Sequence, residues 1–155
     1  MKIFKSIFTL VTVISLTFVS CSKSDDDSQT NTLLVGKFIE EKAETLDVNG
    51  NVIKTYPASF HPCGVDYLEF FADGTLLDVY YGRYNDECYE EFFKSTYKIA
   101  NDNITLVYEG GTSETLKFKV TDNTFVLAIP VTKEQAEEEG YDPSVVEKRI
   151  IYKKQ

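Results

Sequence analysis

Ile104-Thr105-Leu106-Val107-Tyr108-Glu109, then Gly110-Gly111, then Thr115-Leu116-Lys117-Phe118-Lys119-Val120 is the stretch whose reading decides the fold. Ile104, Leu106 and Tyr108 share one face of an extended chain. Leu116, Phe118 and Val120 do the same, with Thr115, Lys117 and Lys119 opposite. A strict period of two describes a strand with one face buried and one wet. The glycine pair between the runs supplies the left-handed backbone of a tight turn.

The same grammar extends in both directions. Thr96 to Ala100 precedes the stretch, across Asn101-Asp102-Asn103. Phe125 to Pro130 follows it, across Thr121-Asp122-Asn123. Upstream, Val65 to Phe71 turns through Ala72-Asp73-Gly74-Thr75 into Leu76 to Tyr81. Leu34 to Ile39 opens the domain, and Asn49-Gly50, flanked by Val48 and Val52, carries a type I′ turn signal. Near the C-terminus Val146, Ile150 and Tyr152 share a face, with Glu147, Arg149 and Lys153 opposite. Short strands at regular spacing joined by tight turns predict an all-β fold: a small antiparallel meander, closed as a barrel or left as a curved sheet.

One short helix is expected before the last strand. Thr132-Lys133-Glu134-Gln135 has the form of a capping box. Ala136 and the glutamates 137 to 139 continue it, and Gly140 suits the left-handed residue that ends a helix. Consecutive glutamates spread around a helix, so this run reads as a solvated face.

The first twenty residues stand apart. Lys2 and Lys5 precede thirteen uncharged residues, Ile7 to Val19. That is shorter than the ~20 apolar residues a membrane span needs and suits the core of a signal peptide. The run ends in Phe18-Val19-Ser20-Cys21, which resembles a bacterial lipobox with Phe18 in place of the usual Leu. The resemblance implies cleavage before Cys21, diacylglycerol on its sulfur and a further acyl chain on its amine, enough for stable anchoring. Residues 21–32 then read as a disordered tether, since Ser22 to Thr32 contains no apolar residue. Its acidic run, Asp25-Asp26-Asp27, resembles the surface-export signal of Bacteroidetes-type lipoproteins. The expected address is the bacterial cell envelope, as an outer-membrane lipoprotein displayed at the surface.

Without the leader, which holds Lys2 and Lys5 and no acid, 14 basic residues face 25 acidic ones, a net charge of −11. Such a chain is a poor partner for nucleic acid, whose phosphates call for Lys and Arg clusters. It also avoids anionic headgroups, so membrane attachment must be covalent. With Cys21 lipidated, Cys63 and Cys88 remain, and an even pair in an exported protein reads as a disulfide.

Leu34-Val35-Gly36-Lys37-Phe38 is similar to the Leu-x-Gly-x-Trp opening of lipocalin-like domains in Bacteroidetes lipoproteins, with Phe38 where the family has Trp. Tyr67-Leu68-Glu69-Phe70-Phe71-Ala72-Asp73-Gly74-Thr75 resembles the next signature, an aromatic strand running into Asp-Gly-Thr. Tyr97-Lys98-Ile99 and Asn103-Ile104-Thr105-Leu106 match a later strand pair, and the placement of Cys63 and Cys88 also looks like the family. The resemblance covers roughly Leu33 to Ile129. It implies a small antiparallel barrel or strongly curved sheet over residues 33–155, and no assigned chemistry.

Nothing in the chain signals catalysis: no Gly-x-Ser-x-Gly, no phosphate-binding glycine loop and no His-Glu-x-x-His occurs. No cofactor is implied. His61, the only histidine, precedes Pro62-Cys63, but zinc wants three or four ligands. Asn85-Asp86-Glu87-Cys88-Tyr89-Glu90-Glu91 lacks the spacing of a calcium loop and reads as a solvated acidic loop. The remaining anomaly is aromatic: Tyr80, Tyr81, Tyr84, Tyr89, Phe92 and Phe93 crowd one segment, read as a barrel mouth or long loop beside the disulfide. Tyrosine, apolar in body and polar at the edge, suits pockets and interfaces. Two functions follow. A binding module would hold a small apolar or amphipathic ligand, or a glycan, at these aromatics. A structural or interaction protein would have a filled barrel and an envelope protein as partner. Cavity volume separates them.

Overall fold

The structure, a computed structural model, describes residues 32–58 and 62–155. The leader, Cys21, the tether as far as residue 31 and His61 lie outside the described residues. Thr32, counted above with the tether, already belongs to a helical turn at residues 32–34, which sets Leu34 fully buried at the base of the sheet.

Nine strands follow: β1 (Gly36–Leu46), β2 (Val52–Pro57), β3 (Tyr67–Phe70), β4 (Thr75–Tyr84), β5 (Glu87–Ala100), β6 (Asn103–Tyr108), β7 (Ser113–Val120), β8 (Thr124–Pro130) and β9 (Glu147–Lys154). Every pairing is antiparallel. β1, β3, β4, β5, β6, β7, β8 and β9 lie side by side in that order, and β9 returns to β1 along Phe38 to Leu46, closing an eight-stranded barrel. β1 takes part twice on its other edge. Its first half pairs with β3 and its second half, after an irregularity between Glu40 and Lys42, pairs with β2. Such a bulge bends a strand and strengthens its twist. The curved alternatives of the sequence reading thus resolve to the barrel.

Alternation assigns the core. Phe38, Phe70, Tyr97, Ile104, Leu116, Phe118, Phe125 and Tyr152 meet inside. Phe125 is the hub, with ring centroids 5.7 Å from Phe38, 5.2 Å from Phe70, 6.0 Å from Phe118 and 5.7 Å from Tyr152. Phe38, in the place of the family's Trp, is fully buried in this cluster, with the Lys154 ammonium 5.4 Å from its ring centroid. The cluster seals one end of the barrel. The β3–β4, β5–β6 and β7–β8 turns, the start of β1 and the end of β9 gather at that closed end. The opposite end is the mouth.

The helix α1 (Lys133–Glu138) interrupts the return from β8 to β9 at the mouth end. Its capping box is formed, with Thr132 Oγ1 accepting from Gln135 N–H and Gln135 Oε1 accepting from Thr132 N–H, and Gly140 adopts φ +68°. Val146 lies outside β9 and is exposed, so it does not share the inward face of Ile150 and Tyr152 as its spacing suggested. Its N–H is drawn instead to the Leu46 carbonyl, 2.9 Å away. The Asn49-Gly50 turn also departs from type I′. Of the pair, only Gly50 takes a positive φ. The Asp47 carboxylate accepts from the N–H groups of Asn49 and Asn51, organising a longer loop in which Asn49 has no need of a left-handed backbone. Among the described residues no helix is long and apolar enough to cross a membrane.

Candidate functional site

Residues 80 to 93, read as a barrel mouth or a long loop, lie at the mouth and form no long loop. β4 runs on to Tyr84 and β5 starts at Glu87, paired residue for residue through Tyr84↔Glu87. Asn85 and Asp86 make a two-residue turn with φ of 49° and 65°, the left-handed values that Asn and Asp tolerate best among non-glycine residues. The acidic run from Glu87 to Glu91 is therefore an exposed strand rather than a loop. β3 releases β4 after Tyr67↔Val79, and β6 meets β5 only from Ser95. Beyond those points the hairpin rises above the rim, and among the described strands β4 and β5 pair only with each other.

Period two sorts the six singled-out aromatics onto two faces. Leu76, Asp78 and Tyr80 on β4, and Phe93 and Ser95 on β5, line the interior. Tyr80 and Phe93 meet edge to face at 5.9 Å. Farther up the same face, the Tyr89 ring lies across Gly82, where a Cβ would sit about 2.1 Å from the ring. Tyr84 stands at the apex, 72% exposed. Tyr81 and Phe92 point the other way. Tyr81 lies against Gly64, where an added Cβ would be 2.5 Å from its ring, and Phe92 is 68% exposed. The structure thus unites Tyr80 and Phe93 at the mouth, extends them with Tyr89, and separates Tyr81 and Phe92.

The outer face is held by the disulfide. Cys63 and Cys88 are bonded, with Cα atoms 5.4 Å apart, tying the β2–β3 connection to β5. Asp66, the last residue of the same connection before β3, accepts from the Tyr81 N–H at 2.8 Å, just beyond the Tyr67↔Val79 pair. Together they brace the protruding hairpin.

Within the barrel, above the aromatic base, is a cavity of about 200 Å³. Its floor and walls are Phe70, Leu76, Ile104, Leu106, Leu116, Phe125, Leu127 and Ile150. Toward the mouth it is lined by Asp78, Tyr80, Phe93, Ser95, Tyr108 and Glu114. Tyr80 donates to Asp78 Oδ2 at 2.8 Å, and Tyr108 donates to Glu114 Oε2 at 3.1 Å. Burial pushes the Asp78 carboxyl up to about 6, against the lowering effect of the Tyr80 hydroxyl, with the nearby charge of Asp66 adding to the rise. Glu40 stands opposite Tyr152 in the β1–β9 register, on the face that Tyr152 turns inward. Burial raises its pKa too, more than the charge of Lys148 lowers it. Burial also holds the Tyr80 and Tyr152 phenols well above their ordinary range. Among the described residues no group of His, Cys, Asp and Glu is arranged to hold a metal ion.

The sequence reading missed the lining residues Asp78, Ser95, Tyr108 and Glu114, and Glu40, which turns inward opposite Tyr152 without lining the cavity. The signal was present in the phase of each strand. Asp78 is in step with Leu76, Ser95 with Tyr97, Tyr108 with Leu106, Glu114 with Leu116, and Glu40 with Phe38. On β4, β6 and β7 the inward stripe is apolar at the closed end and polar toward the mouth.

A model of the lipocalin-like domain matches residues 34–127, more than half of the chain. The chain belongs to the lipocalin-like domain family. Two solved structures are similar to this lipocalin-like barrel. One is an uncharacterized protein from Bacteroides eggerthii DSM 20697, at 15% identity and a TM-score of 0.47. The other is a lipocalin-like protein from Bacteroides uniformis ATCC 8492, at 13% identity and a TM-score of 0.45. Each alignment covers 79% of this chain and 99% of the other. No curated protein matches. The lipocalin-like domain is a fold that suggests a ligand-binding module.

Proposed function

We propose that this lipocalin-like domain is a non-catalytic binding module of the bacterial cell envelope, which holds a small apolar or amphipathic ligand in its barrel. The observation that carries the reading is the cavity of about 200 Å³ between the aromatic base and the mouth. A well-packed core leaves few voids larger than a water molecule. A cavity of ~150 Å³ lined by apolar side chains is enough to bind benzene. The volume fits one ring with a short arm, or a few carbons of a chain entering end-on. The Tyr80, Phe93 and Tyr89 rings would guide entry and cover the ligand's outer end.

The address follows from lipid on Cys21, which would place the domain at the outer membrane and, through the acidic run after it, at the cell surface. β1 begins at the closed end, so the chain from Cys21 enters there. The mouth and its hairpin would then face away from the membrane, as suits capture from outside.

A second reading has its own support. Phe92, 68% exposed, lies on the hairpin's outer face, and among the described residues no second strand pairs with β5 from Glu87 to Lys94. A protein partner could dock there. The test is fluorescence of a neutral apolar probe, N-phenyl-1-naphthylamine, with two variants. Ile150→Phe, which fills the cavity, should abolish saturable binding, while Phe92→Ala leaves it unchanged. The opposite pattern would move the function to the outer face.

A further inference from the structure

We infer that the ligand is a cationic amphiphile: a protonated amine on a short aromatic or aliphatic body, with its ammonium held between Asp78 and Glu114 at the mouth and its body in the apolar cavity below. The inference rests on the reading of the barrel interior as a ligand site and adds the ligand's chemical class.

Four observations support it. The residues lining the cavity include two carboxylates, Asp78 and Glu114, and no Lys, Arg or His. Glu40 on β1 and Asp66 in the β2–β3 connection add negative charge, since both act on the Tyr80 and Tyr152 phenols. The lysine whose charge reaches Glu40, Lys148, lies over the Tyr141 ring at 5.9 Å and is not part of the lining. Among the described residues, the ion pairs join Lys42 to Glu44, Arg83 to Asp86 and Arg149 to Glu147, and none includes a mouth carboxylate.

The hydrogen-bond inventory points the same way. The phenol hydrogens of Tyr80 and Tyr108 are already committed to Asp78 and Glu114. What faces an incoming head group is therefore mostly acceptors: carboxylate oxygens and phenol lone pairs. Tyr108, which donates to Glu114, also lies within electrostatic reach of Asp78. An ammonium brings three donors and the missing charge. The Tyr80, Phe93 and Tyr108 rings line the same cavity, and aromatic rings favour a cation further. An anionic head would meet only like charge, and a neutral hydroxyl would leave the carboxylates uncompensated.

Phenethylamine, 2-phenylethanol and phenylacetate share one ring and a short arm and differ at the head. Calorimetric titration of the whole domain at pH 7.5 should rank the amine at least tenfold above the alcohol, with phenylacetate weakest. Asp78→Asn should remove most of the amine's advantage and leave the alcohol within twofold. Glu114→Gln, at an exposed position, should act in the same direction and covers the case in which the Asp78 variant misfolds. Lowering the pH from 7.5 to 5 should weaken the amine roughly tenfold as Asp78, with its pKa of about 6, takes up a proton. The titratable groups that face that carboxyl are Glu40, Glu114, Asp66 and the three phenols, Tyr80, Tyr108 and Tyr152. Equal binding of amine and alcohol, or amine binding untouched by both variants, overturns the cationic head and leaves the cavity as a ligand site. Absence of binding by all three, and by the neutral probe, overturns the ligand site itself.

Discussion

Asp78 is an acid in a place where an apolar residue would stabilise the fold more. It occupies the inward phase of β4, between Leu76 and Tyr80, and burial lifts its pKa from 3.8 to about 6. A carboxyl raised in this way favours the folded state most when protonated. Its contribution is fully present below pH 4 and is lost as the pH rises through 6. Asp78→Asn should therefore be more stable than the wild type at pH 8, by about 1–2 kcal/mol after allowing for solvent screening. The gap should close by pH 4, as read from denaturant midpoints at both pH values. A pH-independent gap would show that Asp78 carries no burial penalty. Phe125 is the opposite case, an apolar residue whose ring touches four others. Phe125→Ala should cost about 3–5 kcal/mol in urea unfolding. Both residues were legible to different degrees. Phe125 opens a strand whose apolar character is plain. Asp78 could be found only by asking which polar residues keep step with a buried stripe, because charge by itself reads as surface.

At the scale of elements, the strands from β6 to β9 were legible because each has one wet face and one dry face, so alternation is visible. The upper hairpin was not, for a physical reason. Above the rim neither face of β4 and β5 is buried by the barrel, so Tyr84, Glu87, Tyr89, Glu90 and Glu91 carry no burial period to read. The Asn85-Asp86 turn was the remaining clue, and it lacks the glycine that marks most such turns. What braces the hairpin is the Cys63–Cys88 bond, across a sequence separation of 25. Chain-entropy reasoning gives such a crosslink about 3.5 kcal/mol. The double variant Cys63→Ser, Cys88→Ser should lose a few kcal/mol in denaturant unfolding. It should also speed amide exchange in Tyr80–Phe93 before it does so in β6–β9. Uniform exchange along the barrel would contradict the bracing role.

The whole molecule combines a closed barrel with an entry point at the end remote from its mouth. Closure was the alternative that the strand pattern left open against a curved sheet. It is decided by the β1–β9 pairing, between elements about a hundred residues apart in sequence. No local period can report such a contact. The cavity was likewise beyond sequence reading, since its volume depends on how eight inward stripes fill one interior. The proposed anchor is tested separately. Cys21→Ala should shift the protein from the membrane to the soluble fraction of its host, and retention in membranes would contradict lipidation. The central claim is that the barrel interior is a ligand site, and methyl-resolved NMR of the domain titrated with 2-phenylethanol tests it most directly. Saturable shifts should appear at Leu106, Leu116, Leu127 and Ile150, with Val48 and Val146 unmoved. Absence of saturable shifts at those four methyl groups, or shifts confined to residues outside the barrel, would contradict it.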